Sequence, residues 1–93
     1  MFSWDARKAL SNLKKHGVSF EEAATVFSDP DALDWDDPGH SHSEIRCKRL
    51  GTSLSGRILI VVYTPRKVNH AKEIIRIISS RQATRKERQA YAG

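Results

Sequence analysis

The sequence predicts an α+β fold: an antiparallel sheet of about four strands, two N-terminal helices packed on one face, and a short C-terminal helix. Three observations predict it. The N-terminal part places apolar residues at helical spacing, the stretches after Glu44 alternate or run continuously in β-branched residues, and Thr84 stands three positions before Glu87 at the spacing of a capping box. At 93 residues the chain has the size of one domain with one core, and residues 1–93 are assigned to it.

Taken in order, Phe2 to Trp4 can form a short strand, and Asp5 caps a helix running to about His16, with Ala6, Ala9, Leu10 and Leu13 as its apolar stripe. Gly17 stops that helix. Ser19 and Glu22 form a capping box for a second helix from Phe20 to about Phe27, whose buried stripe is Phe20, Ala23, Ala24 and Phe27. Asp29-Pro30 breaks the pattern, "ALDW" can begin a strand, and "DDPGHSHS" is a loop. "EIRCKRL" sets Ile45 and Cys47 against Glu44, Arg46 and Lys48, so one face is buried and the other open to chemistry. "GRILIVVYT" is a near-continuous run fit for a central strand, joined to the previous one through the turn "GTSLSG". A loop is expected around "PRKVNH", then a strand over "EIIRIIS" with Arg76 in its middle, and last a helix "RKERQAYA".

Composition excludes several classes. With 39% hydrophobic and 29% charged residues, five Gly and three Pro, the chain is globular rather than disordered or fibrous. No apolar run approaches the roughly 18 residues that cross a bilayer, and Asp5 and Arg7 stand where a signal peptide needs an apolar region, so a cytoplasmic protein is expected. The single Cys47 agrees. It cannot form an internal disulfide and excludes a Cys-rich zinc module, and its expected role is that of a small apolar strand residue.

The net charge of +5 is unevenly spread. Met1 to Pro38 carries four Lys and Arg against eight Asp and Glu, a balance of −4, whereas Gly39 to Gly93 carries twelve against three, a balance of +9. Such asymmetry points to a polyanion-facing surface built from the C-terminal elements, most plainly for nucleic acid. The stretch "KKHGVSFEEAATVF" has the outline of a helix-turn-helix, but its second helix offers Glu21, Glu22 and Asp29 where a reader of the major groove needs basic or amide groups. A structural hairpin is the expected role of that pair.

Four blocks in order, "FSWDARKALSNLKKHGVSFEEAATVFSDP", "DDPGHSHSEIRCKRLG", "GRILIVVYT" and "IRIISSRQATRKERQAYAG", span nearly the whole chain. Together they resemble the BrnT family of bacterial type II toxin-antitoxin systems. The resemblance implies a small ribonuclease toxin with a RelE-like fold, metal-independent cleavage and no cofactor. It also implies neutralisation by a BrnA-like antitoxin that carries a ribbon-helix-helix DNA-binding part, with DNA reached only through that partner. His42 and the insertion-like "KVNHAKE" are positions where the family is expected to vary, and they receive no catalytic weight.

Cleaving RNA without a metal requires removal of the 2′-hydroxyl proton, neutralisation of charge on a phosphorane-like transition state, and protonation of the leaving oxygen. The planar, permanently charged guanidinium suits the second task, which singles out Arg76 and Arg81, with Arg46 beside them. Arg76, inside an apolar strand, must reach solvent over the sheet or meet a partner such as Glu44 or Glu73. Glu44 can act as a base or orient Arg46, and His40 is the remaining candidate that titrates near neutrality. His16 is explained by its place at a helix C-terminus. Arg46, Lys48, Arg85 and Arg88 are expected to bind phosphates, with Tyr91, and less so Tyr63, available to stack on bases. Trp4, Phe20 and Phe27 fit the core. Asp36, Asp37, His40, His42 and Glu44 match no zinc spacing, so no metal site is assigned. The alternatives to an endoribonuclease are a non-catalytic basic module that docks a partner protein or nucleic acid, and a small DNA-binding regulator.

Overall fold

Local signals set most of the element boundaries. In the computed structural model, which describes residues 1–38 and 44–93, strand β1 (Phe2–Ser3) precedes helix α1 (Ala6–His16), helix α2 (Phe20–Thr25) and a 3-10 turn over Val26–Ser28. Strands β2 (Leu33–Asp36), β3 (Cys47–Thr52), β4 (Ile58–Asn69) and β5 (Lys72–Gln82) follow, and helix α3 (Arg85–Ala92) ends the chain. Asp5 caps α1, its carboxylate accepting from the N–H groups of Arg7 and Lys8 at 2.8 and 3.1 Å. Gly17 ends the helix at φ 68°, the left-handed conformation that needs no Cβ. The capping box over Thr84 and Glu87 forms in full. The one over Ser19 forms by half: Ser19 Oγ accepts from the Glu22 N–H at 3.0 Å, but the Glu22 carboxylate turns away to Ser53, Ser55 and Arg57 in the β3–β4 turn.

The sheet differs from the expected one. Among the described residues it has five strands in the order β1-β5-β4-β3-β2, and it is mixed, because β1 runs parallel to β5 while the other neighbours are antiparallel. The loop expected over "PRKVNH" is strand: β4 continues to Asn69 and β5 begins at Lys72. Pro65 is the misleading residue, since proline normally argues against a central strand. Here β3 pairs with β4 only as far as Cys47 opposite Tyr63. Among the described residues, β4 has a ladder partner on one side alone from Thr64 onward, so a residue without an N–H is tolerated there. β3 itself starts at Cys47, later than expected, and Ile45 is exposed rather than buried.

Alternation along β4 separates two apolar layers. Leu59 and Val61 face α1 and α2 and pack with Val18, Phe20, Ala23, Val26 and Ile77. Ile60 points the other way, where Leu50, Ala83 and Ile58 meet Tyr91 of α3. Among the described residues no helix is long and apolar enough to cross a membrane.

The buried side of α1 also differs from the expected stripe. Leu10 and Leu13 are 58% and 46% exposed, and Asn12 is buried in their stead. Its amide explains the rotation. Asn12 Nδ2 donates to the carbonyls of Val18 and Ser80 at 2.9 and 2.8 Å, and Oδ1 accepts from the Ser80 N–H at 3.1 Å. β1 covers the outer edge of β5 only at Ile75 and Arg76, so the amide takes the place of a neighbouring strand for the Ser80 peptide groups. Replacing it by an apolar residue of similar size, Asn12→Leu, strands those groups without partners. Each such loss costs about 1–3 kcal/mol, so stability in denaturant unfolding should fall by at least about 2 kcal/mol, with the slope m unchanged.

Candidate nucleic-acid interface

Helices α1 and α2 close one face of the sheet, whereas α3 covers only one end of the other, over Leu50 and Ile60. Among the described residues, the remainder of this second face is uncovered and basic. Cross-strand register places Trp35 opposite Lys48, Lys48 opposite Val62, Arg76 opposite Thr64 and Arg81 opposite Ile60, so these side chains share it. Arg46 lies half-buried one position before β3, where its carbonyl accepts from the Asp37 N–H at 2.8 Å. Beside Arg76 the register shifts: Val62 faces Ser79 and Tyr63 faces Ile77, leaving Ile78 as the extra residue. A bulge of this kind re-aims the neighbouring side chains.

The strand arginines divide by what they meet. Arg49 pairs with Asp34 at 2.6 Å, Arg66 with Glu44 at 3.0 Å, and Arg81 grips both oxygens of Glu87 at 2.7 and 3.0 Å. Arg76 is half-buried, and its side chain makes no hydrogen bond or ion pair with any described residue. The ion pair expected with Glu44 or Glu73 is thus not formed, and Glu44 is held by Arg66 instead. Thr64, the cross-strand partner of Arg76, is 1% exposed, and its buried Oγ1 has no hydrogen-bond partner among the described residues.

The other candidates are spread more widely. Glu44 is exposed in the bend before β3. Arg85 and Arg88 are exposed on α3, with Arg88 Nη1 donating to the Ala83 carbonyl at 2.9 Å. The Tyr91 hydroxyl accepts from Thr52 Oγ1 at 3.0 Å and donates to Asp29 at 2.5 Å, while its ring packs on the Leu50–Ile60 layer. Tyr63 lies on the closed face, edge-on to Phe27 at 4.9 Å, its hydroxyl donating to Asp34 at 2.7 Å. Burial, then Asp34, pushes that phenol well above its ordinary range. Cys47 is buried in β3, as expected, and burial raises its thiol. His40 and His42 fall within 39–43, outside the described residues. Among the described residues no group of His, Cys, Asp and Glu is placed to hold a metal ion. Thr64 and Trp35 were not singled out by the sequence. The first is concealed in a β-branched run, and the second becomes visible only when the register of β2 is known.

A family model described as the ribonuclease toxin BrnT of type II toxin-antitoxin systems matches residues 4–87. The chain belongs to the BrnT family. Among solved structures, the crystal structure of the Brucella abortus ribonuclease toxin BrnT is similar to it, with 22% identity over 91% of this chain and 99% of that one and a TM-score of 0.65. At that identity the likeness is one of fold. No curated relative matches the sequence. The stretch matched to BrnT contains Arg76, Thr64 and the Arg81–Glu87 pair, so the open face belongs to the family region.

Two carboxylates in this BrnT chain tie elements together and titrate accordingly. Arg81, aided by the Thr84 N–H, holds Glu87 at a pKa of about 2, and Arg57, with Ser55 and Ser53, holds Glu22 at about 2, against 4.5 for the ordinary carboxyl. Both folded-state values are depressed, so their stabilisation is complete above the ordinary carboxyl pKa and is lost as pH falls from about 4.5 towards 2. The thermal midpoint should therefore be level above pH 5 and drop below it, and Glu22→Gln or Glu87→Gln should each lower the plateau and flatten the drop.

Proposed function

We propose that the chain is an endoribonuclease toxin that binds RNA across its open sheet face and cleaves it without a metal, with Arg76 stabilising the transition state. The observation that carries this reading is Arg76 itself: a half-buried arginine in the middle of a strand, with no carboxylate among the described residues to neutralise it. Keeping a desolvated cation without a counter-charge is costly unless an anion arrives, and a phosphate is an anion that matches the guanidinium fork. Thr64, beside Arg76 across the β4–β5 ladder, keeps a buried hydroxyl with no hydrogen-bond partner among the described residues.

In the proposed reaction the 2′-oxygen attacks the adjacent phosphorus and the 5′-oxygen leaves. Arg76 meets the charge that grows on the non-bridging oxygens. Glu44 and His40 are the candidates for moving the proton from the 2′-hydroxyl and to the leaving oxygen. Arg46, Lys48, Arg85 and Arg88 hold flanking phosphates. Arg81, bound to Glu87, acts by positioning α3, and Tyr91 anchors that helix through Asp29. The antitoxin in this reading is a BrnA-like protein with a ribbon-helix-helix part, the wider kinship is RelE-like, and the site of action is the cytoplasm.

Incubation of the purified chain with single-stranded RNA should give cleavage that EDTA leaves unchanged. Loss of cleavage in EDTA would remove the metal-independent mechanism, and binding without cleavage would favour the basic docking module. Arg76→Ala should slow cleavage by roughly 10² to 10³, the effect of losing one preorganised donor, with little change in RNA affinity. Arg76→Lys should recover only part of the rate, since it restores charge but not the fork. Because Arg76 pairs with no described carboxylate, the unfolding midpoint of the alanine variant should match that of the parent.

A further inference from the structure

Strand β2 sorts its side chains sharply. Asp34 and Asp36 point to the closed face, where Arg49 and Tyr63 bind Asp34 at 2.6 and 2.7 Å and Cys47 approaches Asp36 at 3.8 Å. Leu33 and Trp35 point to the open face, opposite Leu50 and Lys48. Both acids of this edge strand are thus turned away from the basic surface, and the two large apolar side chains are turned towards it.

Trp35 is 43% exposed. The rings of Phe2, Trp4, Phe20, Phe27 and Tyr63 all meet another ring, whereas the indole of Trp35 meets neither a ring nor a cation among the described residues. A large exposed aromatic on a sheet edge invites association, and its surroundings indicate with what. Lys48, its cross-strand neighbour on the same face, is half-buried and makes no ion pair with a described residue. Arg76 lies three strands from Trp35 and two residues farther along the sheet, a separation of about 16 Å at roughly 4.8 Å per strand and 3.4 Å per residue, which a few nucleotides of single strand can bridge. A π-face next to a line of cations is the arrangement that holds single-stranded nucleic acid, with bases on the ring and phosphates on the charges.

We propose that Trp35 is a nucleobase platform, on which a base of single-stranded RNA stacks while its phosphate lies against Lys48 and the strand continues towards Arg76. This rests on the reading of the open face as the RNA face, and it adds to that reading a residue that fixes where the strand lies. Stacking tolerates every base, so the platform contributes affinity and register rather than a sequence code.

The test is equilibrium binding of the intact protein to a short single-stranded RNA oligonucleotide that is 2′-O-methylated, so that no 2′-hydroxyl is available for cleavage. Trp35→Ala should weaken binding about tenfold or more and leave the salt slope as it is, since no phosphate contact is lost. Lys48→Ala should reduce the slope by about 0.7. Trp35→Phe should keep most of the affinity but abolish the fluorescence quenching that RNA binding causes in the parent. Unchanged affinity in Trp35→Ala overturns the proposal. So does a loss of affinity that tracks a lowered unfolding midpoint, or a loss of antitoxin binding with RNA binding intact. If the parent protein itself fails to bind the oligonucleotide, the RNA-face reading falls and the platform with it, whereas binding by the parent with a silent Trp35 removes the platform alone.

Discussion

The side-chain amide of Asn12 joins the helical layer to the sheet, and much else depends on it. An amide has two donors and an acceptor, and all three of the bonds Asn12 makes are to peptide groups, those of Val18 and Ser80. Because it must lie flat against the edge of β5, α1 is turned so that Leu10 and Leu13 look outward. Val18 and Phe20 then fall beneath the helix and seed the larger apolar layer. A polar group at the centre of an otherwise apolar contact fixes orientation in a way that Leu against Ile does not, since apolar contacts slide at little cost and a three-bond bracket does not.

With α1 and α2 committed to one face, α3 is the one helix among the described residues on the other. Eight residues cover part of it. Charge pairing then decides what each basic residue can do. Arg49 and Arg57 are spent on the closed side, knitting β2, β3 and α2 together through Asp34 and Glu22. Arg81 holds α3 in place through Glu87, and Arg66 holds the bend before β3 through Glu44. Asp29 completes the frame: it accepts from the Thr52 N–H and the Tyr91 hydroxyl, which keeps its carboxyl below the usual range. Gly51 allows this approach, because a Cβ there would stand 2.9 Å from Ala32 and Val26 and 3.0 Å from Asp29. Among the described residues, the open face then keeps Arg76 beside the buried hydroxyl of Thr64, with Lys48 and Trp35 farther along.

Much of the architecture was legible in the sequence because its signals are local. Asp5, Gly17, Ser19 and Thr84 each act within a turn of helix, and each caps or ends its helix as expected, although Glu22 leaves the box begun at Ser19. Signals that depend on distant neighbours were not legible. The buried place of Asn12 carries no local signal, since its partners lie as far as Ser80. Pro65 looked like a loop because nothing local says that β3 has already ended beside it. At the site, Arg76 stood out as an arginine in an apolar strand, whereas the engagement of Arg81 with Glu87 and of Glu44 with Arg66 requires the fold to be known. Trp35 was hidden by a four-residue strand whose facing is set by pairing alone.

Pro65 has a further consequence. Past Pro65, β4 and β5 form a two-stranded arm, and from Thr64 onward the β3-facing side of β4 has no strand partner among the described residues; such edges nucleate strand addition between molecules. A proline at the start of that edge, followed at once by Arg66 and Lys67, deprives an incoming strand of a ladder donor and sets positive charge in its path. The residue that obscured the strand in the sequence therefore also disfavours strand addition along that edge.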